Sequence, residues 1–114
     1  MTIELGAVFW ITPNEANEIE SDHAHPYVVV QNNKTETIIV CAITSNLKRA
    51  KFVGNVLLEK GEANLPKQSV IEASKMFAID KSQLGECIGA LTEQRINEVL
   101  AGISFMETMT QRYE

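Results

Sequence analysis

Basic side chains are scarce in this 114-residue chain: ten Lys and Arg stand against fifteen Asp and Glu, for a net charge of −5. That balance argues against a protein that grips nucleic acid over its whole surface, because phosphate affinity comes from Lys and Arg. A local basic patch remains compatible with it. Cysteine is equally sparse. Cys41 and Cys87 are the only two, they form no CxxC pair, and the chain opens with no signal-peptide pattern. The expectation is therefore two reduced thiols in a cytoplasmic protein. No apolar stretch approaches the ~20 residues of a membrane span, which excludes a transmembrane helix. Repeats, low-complexity tracts and linkers are missing too. Aromatics reach only 6%, yet hydrophobic residues make up 45%, enough for a real core, and charged residues at 22% are too ordinary for a disordered chain. One domain spanning 1–114 fits this length.

Short β-rich segments dominate what is present. Leu5 to Thr12 contains AVFWI, β-branched and aromatic material that predicts a first strand, stopped by Pro13-Asn14. NEANEIESDHA (14–24) is acidic, has no Lys or Arg, and reads as a long loop. Pro26 to Asn32 is a second strand, with Pro tolerated at its first residue. Asn32-Asn33-Lys34 is the turn of a hairpin, and Thr37 to Thr44 is the third strand. Both runs are apolar at successive positions, the pattern of strands buried on both faces. A basic cluster, NLKRAK (46–51), precedes a fourth strand over Val53 to Leu58. Ser69 to Ala73 and Met76 to Ile79 read as a fifth and a sixth, with a turn at Asp80-Lys81. Gln83 to Leu91 is ambiguous, since Gly85 and Gly89 disfavour a helix. Thr92 is a good N-cap, and Glu93 places negative charge at the positive end of a helix dipole. Ile96, Val99, Leu100, Ile103 and Met106 then recur at helical spacing. Gly102 inside that helix costs about 1 kcal/mol against Ala, so a close packing contact is expected there. The pattern as a whole predicts a small β-barrel or rolled sheet with a helix packed on it.

From Gly6 to about Ile103 the chain resembles the MazF/PemK family of type II toxin–antitoxin toxins. The resemblance rests on GAVFWITP (6–13), HPYVVVQN (25–32), TIIVCAITSN (37–46), the long segment 49–86 and IGALT (88–92). It implies an SH3-like small β-barrel of five to seven mostly antiparallel strands with a C-terminal helix, in a homodimer. It also implies metal-independent cleavage of single-stranded RNA by the ribose 2′-OH, giving a 2′,3′-cyclic phosphate and a 5′-OH, with no cofactor. The implied partner is an antitoxin that lays an acidic segment over the RNA-binding surface. Two family positions carry the chemistry: Thr44 matches one, at the end of the third strand, and His25 stands where the family has Arg before the Pro of the second. Glu18 matches the family Glu, in a loop about two residues longer and without its Gly.

These matches define the candidate site. The Thr44 hydroxyl can donate to a phosphate oxygen as charge builds in the transition state; alone, it would read as an ordinary strand-end Thr. His25, of a type that titrates near pH 6.5, can act as base or acid, whereas Arg supplies a fixed charge. Glu18 could orient the His or the 2′-OH; otherwise it is a solvated loop acid. Ser45, Asn46, Lys48, Arg49, Lys51 and Gln31 are candidates for RNA contact, the cations toward phosphates and Gln31 and Asn46 toward base edges; the same cations are common in exposed turns. His23 pairs poorly with His25 on an extended segment, and a zinc site there lacks a defined third ligand, so no metal is expected. Of Phe9 and Trp10, one belongs in the core and the other is left for a base or a dimer interface. Two other functions compete: a binding module that engages an antitoxin or a DNA complex without cleaving RNA, and a gyrase poison of the CcdB type, for which the tail METMTQRYE offers no support.

Overall fold

The structure is a computed structural model that describes residues 3–12, 24–32 and 35–112. Among the described residues, seven strands and helices follow in order: β1 (Ala7–Ile11), β2 (His25–Asn32), β3 (Thr37–Thr44), β4 (Val56–Leu58), β5 (Ser69–Asp80), β6 (Leu84–Ala90) and α1 (Glu93–Arg112). Short 3₁₀ turns occupy Leu47–Lys51, Glu62–Asn64 and Lys81–Gln83. The strands form one antiparallel sheet in the order β4-β5-β3-β2-β1-β6. The predicted β-rich fold with a terminal helix is thus present, with the helix on the sheet.

Successive apolar residues in β2 and β3 bury both faces of the sheet, because adjacent strand residues point opposite ways. Val28, Val30, Cys41 and Ile43 join Val99 and Ile103 of α1 in one cluster. Tyr27, Val29, Ile38 and Val40 join Phe9, Ile11 and Ile79 in a second. Phe9 is therefore the core member of the aromatic pair, and Trp10 is only partly buried. The helix stripe faces the first cluster as expected, except that Leu100 lies at its margin, 37% exposed.

The sheet curls without closing by strand pairing. Its outer strands, β4 and β6, are joined through the turn at 62–64, where Asn64 Nδ2 donates to the Ile88 carbonyl at 2.9 Å. Gly89 permits this contact, since a Cβ there would sit 2.7 Å from the Ala63 carbonyl oxygen. The glycines that made 83–91 ambiguous mark close backbone approach in a strand. Arg95, in the first turn of α1, clamps the same turn: Nε and Nη2 each donate to Glu62 at 2.9 Å, and Nη1 donates to Glu98 at 2.9 Å. The guanidinium holds the Glu62 carboxyl below its usual range. Thr92 caps the helix by accepting from Arg95 N at 3.3 Å.

Two predicted strands, 69–73 and 76–79, are one strand of 12 residues. The polar, exposed Ser74-Lys75 looked like a break. In fact β5 pairs with β3 on both sides of an irregularity, Ile43 with Ile71 and Cys41 with Met76. The Ala73 N–H at that irregularity donates to Asn55 Oδ1 at 2.9 Å, so the polar backbone stays satisfied and the strand continues. The fourth strand is shorter than predicted, Val56–Leu58, because Gly54 and Asn55 leave the ladder to serve packing and this hydrogen bond.

Candidate active site

The sequence places polar groups at the start of β2 and the end of β3, and antiparallel pairing brings these ends together. Tyr27 pairs with Ala42 and Val28 with Cys41; continuing that register by two residues would set His25 opposite Thr44. Both residues line a cleft of about 310 Å³ whose wall also includes Trp10, Ser45, Lys67 and Ser69. His25 is exposed and Thr44 half-buried. The Thr44 hydroxyl accepts from the Asn46 backbone N–H at 3.2 Å, which fixes its oxygen and leaves the hydroxyl proton to do the donating.

The remaining candidates separate. Ser45 lines the cleft. Asn46 sits beside it with its side-chain oxygen accepting from Lys48 N at 3.2 Å, the cap of the 3₁₀ turn. Gln31 lies six residues along β2 from His25, about 20 Å at the rise of a strand, and does not share this cleft. Lys48, Arg49 and Lys51 also stay outside its lining. Arg49 turns inward: its Nε donates to Glu72 at 2.7 Å, and its guanidinium lies 4.6 Å from the Phe52 ring centroid. Glu72 is only 4% exposed, so Arg49 is its charge partner. Lys51 Nζ lies 5.8 Å from the same ring. Of the three cations, Arg49 is thus committed to fastening the loop between β3 and β4. Glu18 and His23 lie outside the described residues. Cys41 is buried, and burial pushes its thiol up to about 12, an unreactive core position.

Sequence reasoning missed the wall formed by Leu65, Pro66, Lys67 and Ser69. Nothing local in LPKQS marks a site. These residues enter because the loop between β4 and β5 folds across the β2–β3 strand ends. Trp10 reaches the cleft as the partly buried neighbour of the core residue Phe9.

Comparisons with known proteins bear on the family and the fold. The family model of the PemK-like, MazF-like toxin of type II toxin–antitoxin systems matches residues 4–106. An endoribonuclease MazF from Staphylococcus saprophyticus is 36% identical over 84 residues, 70% of each chain. Among solved structures, an endoribonuclease in complex with its cognate antitoxin from a mycobacterial species superposes with a TM-score of 0.73 at 17% identity, covering 91% of this chain and 93% of that one. A second mycobacterial endoribonuclease gives 0.69 at 20% identity, over 92% and 91%. At that identity the structures establish a shared fold. The chain belongs to the PemK/MazF family of type II toxin–antitoxin toxins.

Proposed function

We propose that this chain is an endoribonuclease that cuts single-stranded RNA in the His25–Thr44 cleft. One observation carries the proposal: in a PemK/MazF-family chain, the two residues matched to the family's chemical positions line one cleft. The ribose 2′-oxygen attacks phosphorus and the P–O5′ bond breaks, leaving a 2′,3′-cyclic phosphate and a 5′-OH. The 2′-OH proton must leave and the 5′-oxygen must gain one. His25 moves one of these protons and solvent handles the other. The Thr44 hydroxyl donates to a non-bridging oxygen as negative charge accumulates there. No metal takes part. The toxin acts as a homodimer and is held in check by an antitoxin; a mycobacterial structural neighbour is seen in complex with its own.

The test is to incubate the protein with a long single-stranded RNA in EDTA and sequence the ends across pH 5.5–8.5. Discrete cuts with 5′-OH termini are expected, with a rate that depends on pH because His25 carries a proton. His25→Ala should abolish cutting, and His25→Arg should flatten the pH profile in whatever activity it keeps. Absence of cutting at every pH overturns the proposal; full activity in His25→Ala removes that residue from the mechanism.

A further inference from the structure

We propose that Lys67 is the residue that binds the reacting phosphate in the cleft, an inference that rests on the RNA-cleaving reading above. A phosphorane-like transition state gathers negative charge and needs positive charge close by. His25 supplies it only in its protonated form. Thr44 supplies a dipole. Of the cations that the sequence clusters at 48–51, Arg49 is committed to Glu72, and none of the three lines the cleft. Among the described residues, Lys67 is the only Lys or Arg that does.

Its backbone is held from both sides. Leu65 is 2% exposed, its N–H donates to the Glu62 carbonyl at 3.0 Å and its carbonyl accepts from Gly61 N at 2.9 Å. Pro66 fixes one dihedral of the intervening residue. Beyond it, Ser69, 5% exposed, donates its hydroxyl to the Lys67 carbonyl at 2.9 Å. The side chain itself is exposed and forms no ion pair among the described residues. A flexible ammonium on a fixed base is suited to follow a phosphate from substrate to transition state as a point charge.

The test uses the intact protein with Lys67→Gln and Lys67→Arg. Cleavage by Lys67→Gln should fall about 10- to 100-fold, and Lys67→Arg should recover most of it. Binding of a 2′-O-methyl RNA oligonucleotide, which lacks the nucleophile, is measured beside it. The slope of log affinity against log salt should be shallower by about 0.7 in Lys67→Gln, one phosphate contact to a single strand. Equal losses in both variants, or wild-type cleavage and salt slope in Lys67→Gln while the wild-type protein cuts RNA, overturn the Lys67 assignment and leave the nuclease standing. A wild-type protein that cuts nothing but binds the oligonucleotide with a Lys67-dependent slope overturns the nuclease and supports the phosphate contact. A wild-type protein that binds no RNA overturns both.

Discussion

Gly102→Ala is the substitution that separates helix propensity from helix docking in this fold. In an isolated helix the change is favourable by about 1 kcal/mol. Here Gly102 packs on the backbone of Gly54, which has a φ of +91°, and a Cβ on Gly102 would fall on the Gly54 carbonyl oxygen, with the Gly54 carbonyl carbon 3.0 Å and Cα 3.3 Å away. The contact is reciprocal: a Cβ on Gly54 would meet the Gly102 carbonyl oxygen at 3.0 Å and Met106 Cγ at 2.9 Å. Backbone atoms cannot rotate aside, so α1 must lift, drawing Val99 and Ile103, 2% and 8% exposed, partly out of the core. Overpacking of a tight contact costs about 1–3 kcal/mol, and a misfit against backbone belongs at or above the top of that range. After the gain in propensity, Gly102→Ala should destabilise by about 2 kcal/mol or more in urea unfolding, or roughly 4 °C or more of Tm per kcal/mol for a domain of this size. Ala101→Gly, at the exposed neighbouring position, reports propensity without the contact and should cost about 1 kcal/mol. A Gly102→Ala protein more stable than the parent by about 1 kcal/mol would refute the docking argument.

Arg49→Met leaves Glu72 buried without its closest cation, Lys75 being 3.9 Å away and mostly exposed; allowing for solvent at the Arg49 side, about 1–3 kcal/mol of stability should be lost. Lys48→Met, on an exposed side chain, should stay within about 0.5 kcal/mol when both are compared by chemical denaturation. Glu62 has a carboxyl held below its ordinary value of 4.5 by Arg95, so its contribution is fully present above that value and fades as pH falls through the lower, folded one. Glu62→Gln should therefore be less stable than the parent by about 1 kcal/mol at pH 7, with the gap closing below about pH 4. A constant difference down to pH 2.5 in a Tm-against-pH series would contradict the ion-pair account.

Most of the fold could be read along the chain because its signals are local. Uninterrupted apolar runs in 27–30 and 37–43 marked strands covered on both faces, Thr92 and Glu93 marked the helix start, and the unfavourable Gly102 pointed to a close contact. The misreadings came where local chemistry served a distant partner. Ser74-Lys75 looked like a break in β5, but Asn55, 18 residues earlier, satisfies the backbone there. Gly85 and Gly89 obscured β6, although their missing side chains are what let other segments approach. Of the candidate site, His25 and Thr44 were visible through the family resemblance, while Lys67 carried no signal at all.

By itself, then, the sequence determined most of the element types, the family, and the two residues matched to its chemistry. Period, capping and composition act over a few residues, so one dimension suffices to show them. Tertiary structure alone decided which cations face the cleft. Arg49 stands in a conspicuous basic cluster yet is drawn away by a Glu72 buried 23 residues later, because a buried carboxylate cannot go unpaired. Lys67 stands alone in the sequence and reaches the cleft because the loop that carries it crosses the ends of β2 and β3.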